Sequence, residues 1–462
     1  MLFSAYLLEG VLLSVDTVLC NTKICIRGNL VEAGLAIDKG KIVKIAKSIN
    51  LPPASTKINL KGQITLPGII DSHVHLRDQQ LDYKEDFFSG TSAAAAGGVT
   101  LVVDMPNNKP VTMDSFSLKE RIKLAEKRVL VNVAFNSAFP KKLEEITEVV
   151  KAGAVGFKVY LSNRIGGLDV DNDDLVFAAF LKARENGVLV AVHAGDRRIL
   201  EEKRNEMENA GRIDTEAYVS AHPPEAEVQS IHRIIQLVKK SGVHVHFCHV
   251  SSASGLNAIL LAKRNGLPVT CEVTPHNLFL SSEEYRRFGT LALTDPPLRS
   301  REDASSLWSA LEHGFVDVIA SDHAPHALEE KIVDSVWEAK PGMPGLETTL
   351  PLLLSQVNNG HLSFAELVRL TAEEPAKIFG LSKRGLLEEG SWADIVVVDM
   401  KREGVIDSSV FFSKAKYSPF DGMHVKGKPI KTFVNGLLVM DEGEIVAESR
   451  TGQIVVNELA LM

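Results

Sequence analysis

The chain has 462 residues, 45% hydrophobic and 24% charged, which is room for one large domain and a smaller one and excludes disordered or fibrous classes. A formal net charge of −8, without blocks of like charge, excludes a general nucleic-acid binder. The four cysteines, Cys20, Cys25, Cys248 and Cys271, form no CxxC pair and are too scattered for a disulfide framework, which fits a reducing cytoplasm.

The opening MLFSAYLLEGVLLSV is apolar, but it lacks a basic leading segment, is interrupted by Glu9 and is too short for a bilayer. It reads as a strand, and no membrane partner is expected. ICIRGNLV and LAIDKGKIVKIA, with their glycine-containing turns, predict hairpins. The same texture returns in ADIVVVDM, KTFVNGLLVM and GEIVAES. Residues 1–60 and 385–462 are therefore expected to form one small β-sandwich-like domain flanking a larger one at 61–384.

Between residues 66 and 330 the apolar runs TLPGIID, TLVVDM, VLVNVAF, AVGFKVY, VLVAVHA, VHVHFCHV, LPVTCEV and VDVIASDH alternate with stretches of helical spacing. Among these are EDFFSGTSAAAAGG, DSFSLKERIKLAEK and EAEVQSIHRIIQLVKKSG, closed by Gly where a C-cap belongs in the first and last. Eight strand-then-helix units predict an α/β fold, a (β/α)8 barrel of the TIM type, with functional residues at the C-terminal ends of its strands. Five of the eight runs end that way: His73 and His75 at the first, Lys158 at the fourth, His193 at the fifth, His249 at the sixth and Asp322 at the eighth.

In an extended strand His73 and His75 point the same way, with Asp71 and Arg77 on that face. Alone, the pair reads equally well as hydrogen-bonded core histidines, and His193 or His249 alone as a satisfied core residue. Their shared level tips the balance, because four imidazoles and a carboxylate at one rim match a two-metal hydrolytic site. Asp322 is either a helix N-cap or a ligand and general base; an unpaired carboxylate after a buried run favours the second. Lys158 is either a lysine snorkelling from a strand end or a buried amine that takes up carbon dioxide to give a metal-bridging carbamate.

PGIIDSHVHLRD, AAAAGGVTLVVDMPN, VGFKVYL, HFCHVSSASG, VTCEVTPHNLFLS, DPPLRS, VIASDHAPH and GMPGLETTLPLLL resemble the cyclic amidohydrolases, and within them the dihydroorotases, from about residue 60 to SPFDG at 418–422. The resemblance implies two zinc ions held by His73, His75, carboxylated Lys158, His193, His249 and Asp322, bridged by the carbamate and a hydroxide. Lys158 makes the chain more like the dihydroorotase of the animal multifunctional pyrimidine-synthesis protein than like forms with Asp there. Cys248 and Glu272 match that relative's third zinc position, although a buried Cys is often only a small apolar residue.

The same likeness makes Asp322 the proton carrier in interconverting dihydroorotate and N-carbamoyl-aspartate, and gives substrate binding to Arg77, Asn107, His326 and the backbone at Pro344 and Gly345. Otherwise Arg77 is a solvated surface arginine. Homo-oligomerisation and association with aspartate transcarbamoylase are further implications. One departure is Asp295 of DPPLRS, which stands where the relatives carry Asn or Arg beside the substrate carboxylate. It keeps an allantoinase or hydantoinase activity open; the remaining alternative is an inactive scaffold for aspartate transcarbamoylase. Residues 162–170, SNRIGGLDV, follow the Lys158 run as a candidate lid.

Overall fold

The computed structural model describes residues 14–26, 28–448 and 450–457. The expected strand in the opening fifteen residues lies almost wholly outside them.

Eight parallel strands form the central sheet: Ile69–Val74, Val99–Asp104, Asn132–Ala138, Ala154–Tyr160, Leu189–His193, Val245–Phe247, Val269–Val273 and Val318–Ile319. They pair in sequence order, and a bridge from Val74 to His323, with His75 N–H donating to the His323 carbonyl at 2.8 Å, brings the eighth back to the first. The sheet is therefore a barrel, as the serial units predict. Helices anticipated from their spacing begin on side-chain caps, Asp86 for Phe87–Ala96, Asp114 for Ser115–Ala125 and Ser252 for Ala253–Arg264, each accepting an otherwise orphaned backbone N–H.

The second sheet has nine strands drawn from both ends of the described chain. Val15–Ile26 pairs with Asn29–Asp38, Ala54–Asn59 and Ile64–Pro67, and the last of these pairs with Ile395–Val405, which leads to His424–Val434 and Leu437–Asp441. Its hairpins are tight because Lys39–Gly40 and Asn435–Gly436 both take positive φ, the conformation that matches strand twist. The run TLPGIID is in fact two strands. Ile64–Pro67 belongs to the nine-stranded sheet and Ile69–Val74 to the barrel, and the chain crosses between them at Gly68, where a Cβ would meet the Thr100 side chain at 2.2 Å.

Two parts of the terminal region leave the second sheet. Ile406, Phe411, Ala415, Tyr417 and Phe420 pack with Tyr218, Leu293 and Met343, while Ile454 pairs with Val133 and Val455 joins the barrel's inner cluster of Ile70, Leu101, Val103, Ala134 and Phe379. Alternation along a strand carried no signal for either placement, since both segments are largely irregular.

Candidate active site

The residues that end the barrel strands meet around a cavity of about 210 Å³ lined by His73, His75, Arg77, Asn107, His193, His249, Asp322 and His326, among others. His73 leaves the end of the first strand, and the chain then turns sharply, so that Arg77 takes φ +58° rather than continuing the strand face expected for it. His249 and Asp322 also sit at positive φ, +34° and +47°. Strain of this kind costs about 1–3 kcal/mol per residue and persists where the surroundings fix a functional geometry. Asp104 is one such support: it accepts the Leu76 N–H at 2.9 Å and binds buried Arg121 at 2.6 Å, pinning the turn behind Arg77.

Asp322 Oδ1 lies 3.2 Å from His75 Nε2 and 3.4 Å from His73 Nε2. Burial acts to raise its carboxyl, but the neighbouring histidines, His73 foremost, hold it far below the usual carboxylate range. His75 donates from Nδ1 to Asn107 Oδ1 at 2.6 Å, leaving Nε2 as the cavity-facing lone pair. Across the mouth His193 Nδ1 and His249 Nε2 face each other at 2.9 Å, and burial above all depresses both, keeping them neutral and able to ligate. His73 is pushed up to about 10; burial and the Lys158 amine act downward and are outweighed by the Asp322 and Glu272 carboxylates. Asp322 caps no helix, since the next begins at Leu328.

Lys158 is fully buried, and its Nζ has no hydrogen-bond partner among the described residues. It does not snorkel. An ammonium without a partner there would be costly, whereas an anionic carbamate beside four histidines would meet bound cations. The donor set thus fits metal ions: His73, His75 and Asp322 offer ligand atoms within 4.8 Å of one another, and so do His73, Cys248 and Glu272. In the second group Glu272 accepts from His73 Nδ1, His246 Nε2, the Ser72 hydroxyl and the His249 N–H.

Arg77 is buried, not solvated; its Nε donates to the Pro325 carbonyl at 3.2 Å and it forms no ion pair among the described residues. The structure does not bring Pro344 and Gly345 to the cavity wall. The Gly345 N–H is taken by His323 Nδ1 at 3.1 Å, and Pro341 and Gly342 line the cavity instead. Residues missed from the sequence are Tyr160, whose place two residues beyond Lys158 on one strand was the available signal, and Asn163 and Ile165 of segment 162–170. Asp295 also lines the cavity, 3.7 Å from His193 Nε2, so it is neither turned away nor held by an arginine among the described residues.

Residues 64–439 match the amidohydrolase family. The dihydroorotase of Methanothermobacter thermautotrophicus is 39% identical over 417 residues, covering 89% of this chain and 92% of its own. The L-hydantoinase of Paenarthrobacter aurescens is 35% identical over 447 residues, with coverage of 95% and 98%. The solved structure of L-hydantoinase from Arthrobacter aurescens superposes with a TM-score of 0.92 at 34% identity, covering 96% of this chain and 100% of that one. No helix among the described residues is long and apolar enough to cross a membrane. Barrel, rim chemistry and similarity along most of the chain agree: the chain belongs to the amidohydrolase family and is a hydrolase of its cyclic-amide class.

Proposed function

We propose that this protein is a zinc-dependent dihydroorotase that interconverts dihydroorotate and N-carbamoyl-aspartate. The observation that carries the substrate choice is Arg77, a buried guanidinium facing the cavity without a carboxylate of its own. Its planar fork suits a carboxylate on the ring. Dihydroorotases among the relatives, such as that of Pyrococcus furiosus at 38% identity, support the reading.

His73, His75, Lys158, His193, His249 and Asp322 would hold two zinc ions, with Cys248 and Glu272 offering a place for a third. When bound, the metal polarises the amide carbonyl and acidifies water at neutral pH. Asp322, kept as a carboxylate beside His73 and His75, takes the proton of the attacking water and returns it to the ring nitrogen as the C–N bond breaks. In ring closure the same carboxylate runs the transfers backwards. Asn107 has its oxygen engaged by His75, which leaves its amide N–H groups to steady the substrate with Arg77 and His326. Asn163 and Ile165 close part of the cavity to water.

Purified protein supplied with zinc should hydrolyse and form dihydroorotate, and Arg77→Ala should raise KM by about 10²-fold, the worth of a charged hydrogen-bonded contact. Metal analysis should find two zinc ions per chain, or three if the Cys248–Glu272 position fills. A second reading, hydantoinase, is favoured by Asp295 in the cavity; ready turnover of a hydantoin with none of dihydroorotate would establish it instead.

A further inference from the structure

Behind the cavity-lining residues Arg77, His326 and Gly342 lie two buried lysines that the reaction does not use. Lys84 Nζ lies 3.1 Å from His326 Nδ1 and 2.8 Å from Glu330, and Lys331, fully buried, donates to the carbonyls of Leu293, Lys340 and Gly342 at 3.0, 3.0 and 2.8 Å. His326 sits between these groups, its Nε2 3.0 Å from the Pro341 carbonyl and 3.1 Å from Arg77 Nη2. Glu330 pairs with Lys84 alone, and Asp322 and Asp104 act on Arg77 without forming an ion pair with it among the described residues. On the far side of the cavity Asp295 stands beside His193 at the end of the fifth strand, across the barrel from the first and eighth strands that carry Arg77 and His326.

We infer that Lys84 and Lys331 are positioning residues that make this wall specific for an anionic ring substituent and orient the ring with its carboxylate toward Arg77, away from Asp295. The inference rests on the dihydroorotase reading and deepens it. His326 Nδ1 faces the donor Lys84 Nζ at 3.1 Å and the Glu330 carboxylate at a longer 3.5 Å, and the inferred role of Lys84 is to select the tautomer in which Nδ1 accepts from it and Nε2 donates to the Pro341 carbonyl. In that tautomer Nε2 does not accept from Arg77, and the Nη2 hydrogens of Arg77 stay available for the substrate. Burial first, and the Arg77 charge next, push His326 down to about 3, so it remains neutral between its cationic neighbours. Lys331 draws the Leu293, Lys340 and Gly342 carbonyl oxygens onto itself, away from an incoming anion; burial pushes its amine down to about 7, and its three carbonyl acceptors match the three donors of the ammonium behind the Pro341–Gly342 wall. Asp295 is thereby compatible with an anionic substrate, because the ring has only one favourable orientation.

The test compares dihydroorotate with dihydrouracil, the same ring without the carboxylate, used as a competitive inhibitor. Lys84→Gln and Lys331→Met should each raise KM for dihydroorotate about tenfold with kcat little changed, the pattern of lost ground-state binding, while Ki for dihydrouracil stays within about twofold. Lys84→Arg, which can still donate to His326 Nδ1, should recover most of the loss. The Lys84 variants keep the test available if Lys331→Met does not fold. Equal weakening of both ligands, or unchanged discrimination, would overturn the inference. Wild-type protein that binds dihydroorotate no better than dihydrouracil would instead sink the carboxylate reading of the whole site.

Discussion

Asp322 shows how much chemistry one residue carries when its neighbours fix it. Its backbone is held at φ +47° and its carboxylate faces two imidazoles, so it stays ionised and aimed at the point where water would be activated. Asp322→Asn keeps the shape and removes the proton acceptor; kcat should fall about 10²–10⁴-fold, the usual worth of a general base, measured at equal zinc content so that proton transfer is separated from metal loss. The residues most readable from the sequence were those whose chemistry is unusual at a strand end, His73, His75, Lys158, His193, His249 and Asp322. Asn107, Arg77 and His326 came through motif likeness, and all three line the cavity. Tyr160 was passed over because an aromatic at the end of an apolar run is ordinarily core, and only closure of the barrel puts it on the cavity side.

At the scale of elements, caps and turns follow local rules, whereas the links between elements do not. Glu347, in the first turn of helix Leu346–Asn359, reaches out to accept the Phe412 and Ser413 N–H groups and so ties the 406–423 segment to the catalytic end of the barrel. Burial pushes its carboxyl up to about 7, with the two backbone donors opposing. The folded protein holds that proton more tightly than the unfolded chain, whose glutamate titrates at about 4.5. The resulting stability is complete below the unfolded value and is lost as pH rises through about 7, on the order of 3 kcal/mol. The thermal midpoint should accordingly fall between about pH 5 and about pH 8, and Glu347→Gln should flatten that slope in calorimetry at the two pH values. Helix spacing foresaw Pro224–Ser241, with its buried apolar face, but helix Arg197–Asn209 escaped because none of its residues is fully buried and only Ile199, Leu200 and Met207 interrupt its charged and polar sequence.

For the molecule as a whole, the barrel is closed at its far end by residues distant in sequence. Ala376, Phe379, Leu381 and Val455 pack into the cluster of inward-facing strand residues Ile70, Leu101, Val103 and Leu189. Phe379 also meets the His246 ring edge-on at 5.8 Å, beneath the Glu272 that orients His73. Phe379→Ala should cost about 3–5 kcal/mol, read as a lower urea midpoint at an unchanged m-value; a shift below about 1 kcal/mol would mean that the floor collapses to fill the gap. The nine-stranded sheet is not independent of this core, because Leu66, Val396, Val398, Val434 and Met440 share one apolar cluster with the barrel's outer face and helices.

By itself the sequence determined the barrel and the pairing of both chain ends in one sheet, and it picked out the candidate metal-binding residues, because apolar periodicity and strand-end chemistry are local properties that survive in one dimension. Only the tertiary structure decided that Gly68 divides one apolar run between two sheets, that Pro341 and Gly342 rather than Pro344 and Gly345 face the cavity, and that Asp295 stands across the mouth from Arg77. Each of these depends on which strand lies beside which, and electrostatic interactions act through space between groups hundreds of residues apart.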